Sequence, residues 1–286
     1  MAVRADGFRA TGACRKVNVD GTVRRIALFA GALALALTAC GGPPPPQPTV
    51  APTPEPAPSA APSAPPTSGA QYPAEVLDLD NWYLTLPTGR EGDPDDVYPP
   101  DLDTFSDPWF RLTDAGDGVV FTANAGGVTT EGSNYPRSEL REMANGELAS
   151  WSNTRGTHTL DVRQAVTRLP DMKPHVVTAQ IHDAEDDVVE VRLEGVRLIA
   201  EYDDGDGEVV IDPAYELGTP YDLRITAAGG SVEIFYNGRL AANIPERGSG
   251  WYFKSGSYVQ SNPTRGDAPD ATAAVVLYAL RVEHSL

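Results

Sequence analysis

Cysteine is nearly missing from this chain: there are two, Cys14 and Cys40, both within the first forty residues. Everything after Cys40 therefore lacks a disulfide, a thiolate metal site and a cysteine nucleophile. Basic residues are scarce too, with 22 Lys and Arg against 40 Asp and Glu and a net charge of −18. Six of the basic and three of the acidic residues precede Ala70, which leaves 16 against 37, or −21, for residues 70–286. Nucleic-acid recognition rests on neutralising phosphates with Lys and Arg, so a domain this acidic is unsuited to it. No apolar run is long enough for a comfortable membrane span. After Tyr72 no segment keeps a helical period over three turns, and no repeat of 20–50 residues points to a propeller or a β-helix. Metal-ligand spacing is absent as well. The run Asp203-Asp204-Gly205-Asp206-Gly207-Glu208 matches only part of a calcium loop and has no flanking helices, so it reads as an acidic turn, as does Asp183 to Asp187.

The longest apolar run, residues 26–37, follows Arg24 and Arg25 and has the size of a secretory h-region. Leu37-Thr38-Ala39-Cys40-Gly41 resembles the bacterial lipobox, in which cleavage before the cysteine frees it for lipid attachment. Residues 1–39 then form a lipoprotein-type signal peptide and Cys40 is the lipidation site; an ordinary signal peptide with an incidental cysteine is the alternative. The residues before Arg24 are mixed and only mildly basic, unlike an n-region, which suggests a true start at Val17 or Val23. Twelve prolines lie between Pro43 and Pro66, so residues 40–70 read as a disordered, semi-rigid spacer at ~3.1 Å per residue. Anchor and stalk imply an exported domain, tethered to a membrane only through Cys40.

Residues 71–286 suffice for one sizeable core. Period-2 or β-rich runs appear at 118–124, 157–167, 175–182 and 188–202, then at 221–227, 231–236, 251–260 and 274–284. Asn237-Gly238 is a two-residue hairpin signal and Gly229-Gly230 a further turn. Many strands without intervening helices predict an all-β antiparallel sandwich or jelly roll. The stretch 88–116, rich in Asp, Pro and Gly, reads as a lid or a surface loop.

Three strands carry polar residues of an unusual kind. Successive strand residues point to opposite faces. One face thus receives Arg137, Glu139 and Arg141; a second strand offers Gln180 and His182; a third offers Tyr252, Lys254, Tyr258 and Gln260. The apolar Leu140, Ile181, Phe253 and Val259 back them. A solvated outer face is the bland reading of such alternation, and it suits Val188–Glu194. It suits the other three less well, because Arg, Gln, His and Tyr are groups that orient an anion and exchange protons with it.

The blocks Arg137-Ser138-Glu139-Leu140-Arg141-Glu142, Gln180-Ile181-His182 and Tyr252-Phe253-Lys254-Ser255-Gly256-Ser257-Tyr258-Val259-Gln260 resemble the three signature regions of polysaccharide lyase family 7. These are alginate lyases with a β-jelly-roll fold. Asn81 to Pro87 resembles the opening strand of that domain and Leu280 to His284 its closing one, so the likeness runs from about residue 75 to 286. Ser255 stands where the family often has Ala, on the apolar side. The resemblance implies a jelly roll with a concave substrate groove, an anionic polysaccharide (alginate) as partner, and no cofactor or metal. A monomer is expected.

Such a lyase removes the C5 proton of a 4-linked uronate and protonates the departing O4. The adjacent carboxylate opposes a second negative charge and must first be neutralised. The resemblance assigns that task to Arg137 and Gln180, and the proton transfers to His182 and Tyr258, with Tyr258 the acid. Neutral His182 serves as base where C5–H and O4 lie on opposite faces, as in guluronate; Tyr258 serves both roles where they share a face, as in mannuronate. Glu139, Arg141, Lys254 and Gln260 then read as ligands of flanking subsites, with Glu139 also orienting the two arginines. Ile181 corresponds to a family position often associated with guluronate-containing blocks. His158, His175 and His284 read as structural. The bland alternatives are an ion-pair ladder for Arg137, Glu139 and Arg141, a packed aromatic for Tyr258 and a solvated Lys254. Rival functions are a lyase of another polyuronate such as glucuronan, a non-catalytic carbohydrate-binding module and a structural lipoprotein.

Overall fold

The computed structural model describes residues 69–285 apart from Asp204. The expectations for the signal peptide, for Cys40 and for nearly all of the linker lie outside the described residues. Among the described residues there are seventeen strands, three short 3-10 turns and no α-helix. The strands are β1 (Trp82–Arg90), β2 (Asp93–Val97), β3 (Phe110–Leu112), β4 (Val119–Asn124), β5 (Arg137–Ala144), β6 (Glu147–Leu148) and β7 (Trp151–Ser152). Next come β8 (Thr157–Arg168), β9 (His175–His182), β10 (Asp187–Glu194), β11 (Arg197–Tyr202) and β12 (Gly207–Asp212). They are followed by β13 (Tyr221–Ala228), β14 (Ser231–Tyr236), β15 (Arg239–Ile244), β16 (Ser249–Val259) and β17 (Thr272–Ser285).

All pair antiparallel, in two sheets. One runs β12-β11-β10-β9-β16-β5-β1-β2, with β6 on β5 and β7 on β16; the other runs β15-β14-β13-β8-β17-β4-β3. Spatial neighbours such as β9, β16 and β5 are far apart in the chain because connections cross between sheets, which is jelly-roll wiring. The alternate residues Leu84, Leu140, Ile181, Val191 and Phe253 of the first sheet share one buried core with Phe121, Leu160, Ile225, Ile234 and Val275 of the second. Asn237 and Gly238 both take positive φ (49° and 76°), as a primed hairpin turn between β14 and β15 demands.

The structure departs from the sequence reading in three places. The run 188–202 is two strands, folded back at Gly195-Val196 with Glu194 opposite Arg197; Gly195 takes φ 63°, and the β-rich residues on both sides hide the turn. The polar side of Val188–Glu194 is no solvated exterior, since Glu190 is only 4% exposed and β10 continues the same sheet as β9. The stretch 88–116 is neither lid nor plain loop. Its β2 pairs with β1 and its β3 with β4, and Leu102 and Phe110 are fully buried, so it is pinned to both sheets.

Candidate active site

The order of the first sheet sets β9, β16 and β5 side by side, and the three polar blocks become one surface. Lys254 pairs with Arg141 on one side and Gln180 on the other; Tyr258 pairs with Arg137, and Tyr252 with His182. From β1, Tyr83 comes opposite Arg141; from β10, Glu190 comes opposite Gln180 and Asp187 opposite His182. Directly paired residues share a face, and here it is the face turned away from the core. Arg137, Gln180 and Lys254 are nonetheless all buried, so the site is recessed into that face. Between Ser255 and Tyr258 the pairing of β16 with β9 shifts register. At this bulge Gly256 adopts φ 150°, and a Cβ there would lie 2.5 Å from the Ser138 carbonyl.

Glu139 is the hub. Its Oε2 receives Arg137 Nη1 at 3.2 Å and Lys254 Nζ at 3.0 Å, while its Oε1 accepts from Gln180 Nε2 at 2.6 Å. Burial alone would raise the Glu139 carboxyl, but Lys254 and Arg137 outweigh it and hold the group below its ordinary range. Lys254 is pushed down to about 8, first by burial and then by Arg137, with Glu139 opposing. One carboxylate thus serves two cations, and the cluster keeps a net positive charge. Glu139, expected among the substrate ligands, has no exposed side-chain surface in the structure; its carboxylate is taken up by Arg137, Lys254 and Gln180, which it aligns. Nor does it orient Arg141, whose guanidinium lies 3.9 Å over the Tyr252 ring and donates to the Tyr83 hydroxyl at 3.4 Å.

His182 sits at the end of β9 with Nδ1 2.6 Å from the Asp183 carbonyl oxygen. A carbonyl only accepts, so Nδ1 carries the hydrogen and Nε2 keeps its lone pair. The Tyr252 hydroxyl donates to the same carbonyl at 2.9 Å and its ring stacks on the imidazole. Burial first, then Lys254, pushes His182 down to about 4, so it is neutral near pH 7. Tyr258 presents its hydroxyl 2.9 Å from Ser133 Oγ. Ser133 gives its own proton to the Tyr135 carbonyl (3.1 Å), so it accepts from Tyr258. The Arg137 guanidinium lies 3.9 Å over the Tyr258 ring. Burial raises the phenol above its ordinary range, with Arg137 opposing, and it stays protonated.

The surface therefore holds a neutral imidazole whose Nε2 bonds nothing among the described residues, a protonated phenol, and an arginine and an amide locked by one buried carboxylate. Gln260 follows the end of β16, buried, with its N–H on the His175 carbonyl; its side chain bonds nothing among the described residues. Ile181 belongs to the core and has no exposed surface, so it cannot meet a sugar. His158 and His284 form a separate chain, with Nδ1 to Nδ1 at 2.7 Å and His284 Nε2 at 2.6 Å from Glu142. His175 pairs with Glu194 at 3.4 Å. Among the described residues no group of His, Cys, Asp and Glu is arranged to hold a metal ion.

Sequence reasoning passed over Tyr83, Ser133, Tyr135 and Glu190. Tyr83 lies within the Asn81–Pro87 segment and Ser133 and Tyr135 just ahead of Arg137, but only the folded chain shows that they reach the site. Glu190 is pushed up to about 8 by burial and next by Asp187. Arg192 lies 3.3 Å away, but it also serves Glu194 and Glu201 and cannot offset that burial. The only sequence signal was its even spacing along β10 from residues of ordinary solvated type.

A family model described as alginate lyase matches residues 77–284. Among solved structures, the chain is similar to the alginate lyase AlgAT5 from polysaccharide lyase family 7, with 47% identity over 76% of this chain and 100% of that one, and a TM-score of 0.73. It is similar to an alginate lyase from Corynebacterium sp. at 45% identity, covering 75% and 98% of the two chains, with a TM-score of 0.72. It is also similar to a variant of the family 7 alginate lyase A1-II' in complex with product (GGG), at 27% identity over 76% and 100%, with a TM-score of 0.67. Among the curated proteins none matches.

Proposed function

The chain belongs to the alginate lyases of polysaccharide lyase family 7, and from that membership we propose how its residues divide the reaction. The enzyme cleaves alginate by β-elimination, leaving a 4,5-unsaturated uronate at the new end. Arg137 and the second N–H of Gln180 neutralise the carboxylate next to C5, so that the charge developing on removal of the C5 proton is offset where it forms. Nε2 of His182 takes that proton. Tyr258 gives its hydroxyl proton to O4 as the C4–O4 bond breaks, and the electron pair of the C5–H bond becomes the C4=C5 double bond. Lys254 and Arg141 hold carboxylates of neighbouring sugars, and Gln260 borders the same surface.

The observation that carries this reading is the fixed tautomer of His182, whose Nδ1 hydrogen is tied to the Asp183 carbonyl. A neutral base separate from the phenol suits guluronate, where C5–H and O4 lie on opposite faces, and supports a preference for guluronate-containing blocks. One relative was crystallised with a product written GGG. The test is the rate of absorbance gain on polyguluronate and polymannuronate with His182→Ala. General-base loss is worth about 10²–10⁴-fold, and the expected loss is far larger on polyguluronate. Equal losses on the two blocks would contradict the division of roles.

We infer further that the enzyme is exported, anchored through a lipid on Cys40 and otherwise monomeric. The support is the h-region at 26–37, the lipobox-like Leu37 to Gly41 and the proline-rich residues after it. Growth with a radiolabelled fatty acid tests it: label on the wild type and none on Cys40→Ala is expected, and label on neither contradicts it.

A further inference from the structure

The polar face is not evenly charged on the two sides of the reacting groups. Beyond His182 lies a cavity of about 420 Å³ lined by Asp183, Glu185, Asp186, Asp187, Asp203 and Glu246, with Arg247 and Trp251. Beyond Tyr258 the character reverses. Tyr135 precedes β5 in step with Arg137, and its ring meets that of Tyr258 edge-on at 6.5 Å. Lys173 Nζ donates to the Tyr135 hydroxyl at 3.1 Å and stands 4.7 Å over its ring. Burial would raise the Tyr135 phenol, but Lys173 and Arg265, the last residue of the turn Pro263–Arg265, together hold it below its ordinary range.

Lys173 thus sits on the phenol, and the charge of Arg265 acts on it as well. Among the described residues neither is within ion-pair distance of a carboxylate. Their backbones are held in place: Asp267 accepts from the N–H groups of Met172 (2.8 Å) and Lys173 (2.9 Å) and from Ser261 Oγ. Asn262 Nδ2 donates to the Asn134 carbonyl at 3.0 Å, which ties the Arg265 turn to the segment before Tyr135. In a domain of net charge −21, two cations on tied backbones beside one phenol, neither paired with a carboxylate among the described residues, suit a carboxylate supplied from outside.

We propose that Lys173, seated on Tyr135, and Arg265, whose turn is tied to the segment before Tyr135, form a further subsite that takes the carboxylate of a uronate next along the chain on the Tyr258 side of the cleaved bond. This rests on the reading that Tyr258 acts at that bond. The acidic cavity beyond His182 repels a polyanion, so the bound chain lies unevenly, with its longer arm over Tyr258 and towards Lys173 and Arg265. The subsite adds binding for longer chains and no chemistry of its own.

The experiment uses oligoguluronates of two to seven sugars with the wild type, Lys173→Ala, Arg265→Ala, the double variant and Lys173→Arg, following absorbance gain. The expected result is that the wild-type to double-variant ratio of kcat/KM grows with chain length to about three- to tenfold, mainly through KM. It should shrink as salt rises, and Lys173→Arg should restore most of the loss. Thermal unfolding of each variant separates a folding defect from a binding one, and Lys173→Gln with Arg265→Gln serves as the gentler pair. A ratio that is the same at every length, or no loss at all, overturns the subsite. Tyr258→Phe run in parallel keeps the two claims apart. If it remains active, the underlying reading fails; if it is inactive while the Lys173 and Arg265 variants match the wild type at every length, only the subsite fails.

Discussion

At the scale of single residues the site works through what each proton is committed to. His182 has given its Nδ1 hydrogen to a backbone carbonyl and offers Nε2. It must be neutral to act as a base, and its pKa lies near 4, well below an ordinary imidazole near 6.5. The acid limb of kcat/KM on polyguluronate is therefore expected near pH 4. The alkaline limb is expected near pH 8, where Lys254 loses its proton and Glu139 one of its two cations. A pH–rate profile checks both, and an acid limb at 6.5 would show an ordinary imidazole. Ser133 accepts a hydrogen bond from the Tyr258 hydroxyl at rest, and by turning its own O–H it can donate one to a phenolate formed there. Ser133→Ala is expected to lower kcat by about tenfold with KM little changed, as steady-state kinetics on polyguluronate will show. Of this candidate site, the sequence pointed to the residues whose type is out of place on a solvated strand: Arg137, Gln180, His182 and Tyr258. Glu139 was visible as a residue but not as a buried hub, because alternation tells which face a side chain takes and not how deep it lies. Lys173 and Arg265 follow no periodic pattern and meet Tyr135 only through folding.

At the scale of elements, β16 is the strand on which the site depends, since it joins β9 to β5 and carries both Lys254 and Tyr258. Its bulge leaves Gly256 facing Glu139 across the β5 ladder. A methyl group there would press on the Ser138 carbonyl and, at 2.8 Å, on the Glu139 Cα. Gly256→Ala is expected to cost about 2–4 kcal/mol, lowering the thermal midpoint by several degrees and weakening activity through misplacement of Glu139. A midpoint and kcat equal to wild type would show that β16 and β5 separate without harm. Most strands were legible, because alternation, strict in Tyr221–Ala228, follows from having one face in the core. The hairpin at Gly195-Val196 was not, as a turn between two valine- and leucine-rich arms breaks no pattern. The segments β2 and β3 were hidden among Asp and Pro because they are short edge pairings held by a few buried anchors such as Phe110.

At the scale of the whole molecule, charge sets the conditions of work. A domain of −21 and a polyanionic substrate repel each other at long range, while the cluster of Arg137, Arg141 and Lys254 attracts a carboxylate at contact. Activity is therefore expected to be low in dilute buffer and to rise with moderate NaCl. A steady fall from zero salt upward would show that attraction already dominates at long range.

Stability carries a related signature. Glu190 is raised to about 8 in the fold against about 4.3 in an unfolded chain. The folded state therefore binds a proton that the unfolded state has lost between those values. That contribution is fully present below about 4.3 and is lost as pH rises through 8. Glu190→Gln is expected to stabilise the protein relative to wild type at pH 8 by on the order of 2 kcal/mol more than at pH 5. Denaturant unfolding at the two values checks this, and a larger benefit at pH 5 would reverse the sign.

The central claim is that an arginine and an amide neutralise a carboxylate while a neutral histidine and a tyrosine move the two protons. The most direct measurement is the ultraviolet absorbance of residues 70–286 mixed with polyguluronate, beside His182→Ala and Tyr258→Phe, because the C4=C5 bond formed is conjugated to the carboxylate. The account predicts a steady rise for the wild type and losses of about 10²–10⁴-fold for each variant, with polymer binding retained. A Tyr258→Phe protein that still turns over at a rate near wild type would contradict it.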